Sequence, residues 1–354
     1  MVFATITLIV VILFLSFYGK IKQGNAIPII GSISALSLFA GLRDISFGPD
    51  LFIYQNRFLS YTPFVGYSDI ILDYKQGTMK DALFYIIMKI FSDLGLSYQI
   101  FMATVTGFYL IIVSILIFKY SKNPIISFVM FISLSWLQFS FTGLRQTVAM
   151  GMCIIALLLL LQNKKSVLAI LCIWLAGFTH SSAWIFLIVP VIARFNIKIG
   201  RIRFIQLTLA SLIMSIVGSS VFREIVAAIA WNEAMANYAD SDIFLNWTGF
   251  IIQLLVTAFS YIFYDSVVRD YPYESLLFSL MAIGVGLQAF SSVVAEMFRV
   301  SMYFSIASIC VYPTALMTIK SKRYKVLLLY GSFFIFLFYF FLADKFSSYI
   351  PIIE

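Results

Sequence analysis

Twelve apolar runs limit what this chain can fold into. They fall at about 2–18, 27–42, 99–118, 125–141, 147–161, 167–179, 182–193, 204–221, 247–264, 274–292, 297–318 and 326–342. A helix needs about 20 mostly apolar residues to cross a bilayer, with a range near 17–25. Most of these runs are long enough to span, and the shorter ones reach part-way. Composition excludes a water-soluble fold. Of all residues 62% are hydrophobic and 11% charged, with a mean hydropathy of +1.00, where soluble chains carry roughly 45–50% apolar and about 25% charged residues. No hydrophilic stretch is long enough for a soluble domain. The expected architecture is an all-α polytopic integral membrane protein of about 12 transmembrane or half-membrane helices. Residues 1–354 are read as one transmembrane helical domain, with outer loops or amphipathic helices at about 43–98 and 221–246.

Met1–Tyr18 has no basic n-region and no small-x-small site after it, so it is read as the first span rather than a signal peptide. Cys153, Cys172 and Cys310 all lie in apolar runs and are expected to act as small core hydrophobes.

The net charge of +8 does not point to nucleic acid, because no basic patch interleaves with exposed aromatics. Basic residues gather instead at the ends of alternate apolar runs. Lys20, Lys22, Lys119, Lys122, Lys164, Lys165, Arg194, Lys198, Arg201, Arg203, Arg269, Lys320, Lys322, Arg323 and Lys325 are fifteen of the 24, and only Asp265, Asp270 and Glu274 accompany them. Cytoplasmic loops carry the excess of Lys and Arg, so this face is assigned to the cytoplasm and both termini to the outside. The chemistry-bearing residues then fall on the outer face, where ATP and nucleotide sugars are not available. Any reaction there needs a substrate that arrives already activated.

Arg145 is the most constrained of these residues. It lies in Phe141-Thr142-Gly143-Leu144-Arg145-Gln146-Thr147, between two apolar runs. A charge at the bilayer centre costs at least about 2.5–3.5 kcal/mol, which makes an intramembrane Arg a functional candidate. Gly143 ends one helix and the next begins at Arg145-Gln146, and a helix N-terminus beside a guanidinium is a ready anion site. A snorkelling interfacial Arg is the plainer alternative. The loop Gly41-Leu42-Arg43-Asp44-Ile45-Ser46-Phe47-Gly48-Pro49-Asp50-Leu51-Phe52-Ile53-Tyr54 offers an Arg, two acids and a Tyr around the turn residues Gly48 and Pro49. His180, the only histidine, is a candidate general base or a hydrogen-bonded helix end. With no second His and no Cys near it, no metal site is expected. Glu296 and Arg299 open a late span as candidate ligand groups or as a structural ion pair. The runs 167–179 and 182–193 reach only about 18–20 Å each at 1.5 Å per residue. They are expected as a re-entrant pair or as tilted helices around a polar recess, with His180 and Arg145 near its floor. Two stretches, 81–95 with Asp81, Lys89 and Asp93, and 221–242, have amphipathic helical spacing and are expected at the interface or over a cavity.

Three motifs in this order resemble a known family. GLRD…GPDLFIYQNRF, then SFTGLRQTVAMGM, then LAGFTHSSAW, across roughly residues 41–195, are similar to the EpsG-like branch of Wzy-type polysaccharide polymerases. That branch has an R–G–D–Y loop, an N-G-[IV]-R-Q-like motif and a short helix ending in F-H-x-[ST]-[AS]. Here Thr142 stands where the family often has Asn, and Thr179 lies between Phe178 and His180. The resemblance implies a GT-C-like glycosyltransferase bundle in the bacterial cytoplasmic membrane. It implies an enzyme that joins undecaprenyl-diphosphate-linked oligosaccharide units at the outer leaflet, with no cofactor. Donor and acceptor are then both lipid-linked oligosaccharides, the lipid bilayer is the third partner, and a chain-length regulator is a candidate fourth.

On that footing Arg145 is expected to bind the diphosphate, with Arg43 or Arg299 as a second clamp and Gln146, Tyr54 and Glu296 as further ligand groups. His180, or else Asp50 and then Asp44, is expected to take the acceptor proton. One displacement implies inversion at the anomeric carbon. A flippase for the same lipid-linked units and an O-antigen ligase are the alternatives. A flippase more often has paired repeats and a cationic channel, and a ligase a larger outer loop than 221–246.

Overall fold

Every regular element among the described residues is helical. The computed structural model describes residues 27–61, 65–162, 166–221, 247–294 and 296–343, with Glu224 and Ile350. The expected span at 2–18, and all of the amphipathic stretch 221–242 except Val221 and Glu224, lie outside these residues. Four described helices are long and apolar enough to cross a membrane, or seven spans if each bent pair counts as one. These helices make the chain a membrane protein.

The described residues divide into two compact units, one within 1–120, 124–184 and 329–354 and the other within 121–123 and 185–328. The first unit contains α1 (Ile27–Gly41), α2 (Pro49–Ser60), α3 (Tyr67–Lys75), α4 (Ala82–Asp93), α5 (Tyr98–Tyr120), α6 (Pro124–Ser133), α7 (Trp136–Thr142), α8 (Leu144–Leu161) and α9 (Ser166–Thr179). Its core is α5, whose Phe101, Val113, Leu116 and Ile117 are wholly buried, with α1 and α8 packed against it. The contact with α1 is close because Gly41 has no side chain: a Cβ there would meet Gln99 O and Ala103 Cβ at 2.9 Å.

The stretch after α1, read from sequence as an outer loop that turns around Gly48 and Pro49, is largely helical. Pro49 opens α2 at a position that suits its fixed φ and missing N–H. Asp50 and Tyr54, four residues apart, therefore share one face of a helix. The stretch 81–95 is helical over Ala82–Asp93, as its spacing predicts, but its charged positions do not form one outward face. Phe84, Tyr85 and Met88 turn inward, and Lys89 is buried with them, its Nζ paired with Asp93 Oδ1 at 2.7 Å. Tyr67 Oη on α3 donates to Asp93 Oδ2 at 2.6 Å and ties the two helices together.

The second unit contains α10 (Ile188–Arg194), α11 (Arg201–Val217), α12 (Thr248–Ile262), α13 (Tyr264–Asp270), α14 (Glu274–Ala289), α15 (Met297–Ser305) and α16 (Ser308–Met317). The last helix, α17 (Lys322–Leu342), runs across the boundary in sequence between the two sets. Here α14 is the core, with Leu277, Phe278, Leu280, Met281 and Val285 wholly buried. Arg201 closes the end of α12 by donating from Nε to Tyr261 O at 2.9 Å and from Nη2 to Ile262 O at 2.8 Å, since terminal carbonyls need partners.

Three expected single spans are broken. The run 125–141 bends by 48° between α6 and α7, the run 247–264 continues into α13 with a 65° bend, and 297–318 bends by 45° between α15 and α16. At the first break Ser135 takes φ 78°, a left-handed conformation, with no Gly or Pro to announce it. The expected short helix at 182–193 is a 3₁₀ segment, Ser181–Leu187, followed by α10.

Close packing in the second unit supplies a stability test. A Cβ at Gly284 would lie 2.9 Å from Ser305 N and 3.0 Å from its Cα, backbone atoms that cannot swing aside. Gly284→Ala is expected to destabilise the protein by about 1–3 kcal/mol, the usual cost of overpacking. Gly331 on α17 has nothing within 4 Å of its Cβ position, so Gly331→Ala should keep stability or raise it by up to about 1 kcal/mol, since alanine is the better helix former. Thermal unfolding of the two variants in detergent checks this, and equal shifts would contradict it.

Candidate active site

Gly143 is the pivot of the first unit's polar cluster. A Cβ there would come within 2.6 Å of the Phe139 ring, so a glycine lets the chain turn out of α7 and start α8 at once. Gly48 is excluded from carrying a side chain in the same way, with Thr142 Cγ2 at 2.9 Å from its Cβ position. The turn puts Arg145 in the first turn of an 18-residue apolar helix.

The Arg145 guanidinium is held on two atoms. Nε donates to Tyr54 Oη at 2.9 Å and Nη1 to Asp81 Oδ2 at 2.9 Å. Its centre lies 5.5 Å from the Tyr54 ring centroid. Among the described residues Nη2 has no protein acceptor, and 27% of the side chain remains exposed. A fork of five donors with Nε and Nη1 anchored, on a side chain that is part-exposed, is suited to an oxyanion.

Tyr54 reaches this point from α2, buried against Phe84 with ring centroids 5.4 Å apart. Burial holds its hydroxyl far above the ordinary phenol range, and the Arg145 charge works against that shift. It therefore serves as a neutral acceptor for Arg145.

Asp81 precedes α4 and takes φ 59°, ψ 45°. A left-handed non-glycine residue costs of order 1–3 kcal/mol and persists where its surroundings fix it. Asp81 is so fixed. Its side chain is only 4% exposed; Oδ2 accepts from Arg145, Oδ1 accepts from Ser181 N at 3.0 Å, and Oδ2 is 3.8 Å from His180 Nδ1. Burial pushes the carboxyl up from its ordinary value, opposed by the Arg145 guanidinium and the Ser181 amide. His180 sits at the junction where α9 ends and the 3₁₀ segment begins; its N–H donates to Ala176 O and its carbonyl accepts from Ala183 N, both at 2.9 Å.

Of the residues singled out from sequence, Arg145, Tyr54 and His180 are brought together. Gln146 is buried beside them in sequence, with Nε2 4.0 Å from Met150 Sδ. Asp50 lies one turn before Tyr54 on α2, close enough for its charge to act on that hydroxyl. Arg43 has other partners. It is wholly buried, donates to Ala40 O, and lies 5.2 Å over the Phe141 ring. Asp44 accepts from Ser46 N at 2.8 Å, which caps the 3₁₀ turn Ile45–Phe47, and the Ser46 hydroxyl first, with this amide second, holds the carboxyl below its ordinary range. Glu296 and Arg299 belong to the second unit, at the start of α15, where Arg299 N donates to Glu296 O at 2.9 Å.

Asp81 is the member of the cluster that sequence reasoning did not single out as a site residue. Its one sequence signal is an acid directly before an amphipathic helix, a position that reads as an ordinary cap. Among the described residues no group of three His, Cys, Asp or Glu side chains is placed to hold a metal ion.

No curated protein and no solved structure matches the chain. A family model does match, well beyond the motifs of residues 41–195. It covers residues 26–353, and the chain belongs to the EpsG family.

Proposed function

We propose that this protein is a polysaccharide polymerase that joins undecaprenyl-diphosphate-linked oligosaccharide units at the outer leaflet of the bacterial cytoplasmic membrane. The observation that carries this reading is the anchored Arg145 at the head of α8, held by Tyr54 and Asp81 with His180 beside them. Membership of the EpsG family, over residues 26–353, supports it. We further propose about twelve transmembrane or half-membrane helices in a single GT-C-like bundle. A chain-length regulator remains a candidate partner.

The reaction is one displacement. The acceptor sugar hydroxyl attacks the anomeric carbon of the donor, the bond from that carbon to the lipid diphosphate breaks, and the configuration inverts. Charge grows on the departing diphosphate, and the part-exposed Arg145 together with the first amides of α8 is suited to stabilise it. The acceptor proton passes to His180, with Asp50 and then Asp44 as the other candidate bases. Gln146, next to Arg145 in the chain, is a further ligand group in this scheme. No nucleotide is consumed, because the diphosphate is already on the donor, and leaving-group stabilisation is assigned to the guanidinium rather than to a metal.

The deciding experiment supplies purified protein in lipid with a defined diphosphate-linked repeat unit and no nucleotide sugar. A ladder of oligomers on the carrier lipid is expected. Translocation of the unit without new glycosidic bonds would replace this reading with a flippase.

A further inference from the structure

Asp81 is bound more tightly into the cluster than a helix cap requires. Its two oxygens face three groups from two other parts of the first unit: Arg145 Nη1 at 2.9 Å, Ser181 N at 3.0 Å and His180 Nδ1 at 3.8 Å. The Ser181 amide is the peptide group next to His180, so one bond fixes the backbone beside the imidazole while the other oxygen faces the ring. Asp81 holds these contacts from a left-handed backbone at the start of α4, where its side chain makes no cap hydrogen bond to the helix. An observed outlier at such a point is grounds for a functional hypothesis.

We propose that Asp81 is the positioning residue of this site, holding His180 with its proton on Nδ1 and its lone pair on Nε2, while the same carboxylate anchors the Arg145 guanidinium. Neutral imidazole donates at one nitrogen and accepts at the other, and the partner of one nitrogen decides the role of the second. An ionised carboxylate only accepts, so the nitrogen facing Asp81 carries the hydrogen. The Nδ1–Oδ2 separation of 3.8 Å is longer than a hydrogen bond, as is common for catalytic contacts before substrate binds. The base atom is then Nε2. When it accepts the acceptor sugar's proton the ring becomes a cation, and the proton on Nδ1 stays beside Asp81. Arg145 and His180 are thus coupled through one carboxylate, which aligns the group that receives the proton with the group that stabilises the leaving charge.

This rests on the reading of His180 as the base, but its first test needs no substrate. His180 is the only histidine in the chain, so protein labelled with ¹⁵N at histidine and held in lipid nanodiscs gives one imidazole. At a pH where the ring is neutral, wild type is expected to show a protonated Nδ1 and an unprotonated Nε2. The opposite tautomer, or rapid exchange between the two, would overturn the proposal whatever the enzyme's activity. Asp81→Asn places an amide that can donate to Nδ1 and should move the proton to Nε2. Turnover of the lipid-linked unit should then fall about 10²- to 10⁴-fold, as for other histidine bases locked in the wrong tautomer, with KM changed much less. An unchanged tautomer in Asp81→Asn would also overturn it. If the tautomers behave as expected but wild type forms no polymer, the polymerase reading fails and the Asp81–His180 pairing stands.

Discussion

Replacing Arg145 with alanine is expected to abolish polymer formation while leaving the protein in the membrane. Removing one preorganised donor from a developing oxyanion costs about 10²–10³ in rate, and Arg145 carries the guanidinium's whole fork, so a loss at or above that range is expected. The variant should still fold. Breaking a buried ion pair is expensive when it leaves a bare charge behind, but burial already pushes the Asp81 carboxyl up. Loss of the Arg145 guanidinium moves it further the same way, which limits the cost of the charge left behind. Arg145→Lys separates charge from geometry. Lysine keeps the positive charge but concentrates it on one compact ammonium, in place of the planar fork with which Arg145 reaches Tyr54 Oη and Asp81 Oδ2 at 2.9 Å each and keeps further donors to spare. It should restore little activity. The assay is polymer length in cells, set against the amount of variant in the membrane fraction. Near-normal polymer from a well-inserted Arg145→Ala protein would remove Arg145 from the mechanism.

What sequence could and could not reveal divides along physical lines. A guanidinium between apolar runs has few ways to be satisfied, so Arg145 stood out at once. Tyr54 and His180 stood out less, each from a short motif, and the structure joins both to Arg145 directly or through Asp81. Asp81 was hidden because its importance lies in a backbone angle and in partners 64 and 100 residues away. Neither leaves a mark on local spacing. Arg43 shows the reverse. Its Gly-Leu-Arg context matches that of Arg145, yet Arg43 is wholly buried over Phe141 and bonded to Ala40. Matching tripeptides say nothing about which neighbours the fold brings near.

The spans divide the same way. Apolar runs located α5 and α8 within a few residues, because one long apolar helix is the simplest way to satisfy such a run. The bends were not legible. The break after α15 falls at Ile306 and Ala307, and the nearby proline, Pro313, lies inside α16 instead of at the break. Tertiary packing decides such positions, and an apolar run reads the same whether it is straight or bent.

Changing His180 to glutamine tests the other half of the chemistry. Glutamine retains polar atoms and similar bulk but cannot accept a proton at neutral pH. General base catalysis contributes about 10²–10⁴, so turnover should fall by that factor while the variant still binds the lipid-linked unit. Binding should persist because Arg145 is anchored by Tyr54 and Asp81, neither of which is removed. The comparison with Arg145→Ala is the informative part, since that change removes the proposed diphosphate contact and should weaken both binding and turnover. Two carboxylates compete for the base role. Asp44 is committed to Ser46 and held below its ordinary range, which makes it the weaker base, whereas Asp50 lies one turn from Tyr54. Near-wild-type turnover of His180→Gln across pH would assign His180 to structure and make Asp50→Asn the variant that must then lose activity.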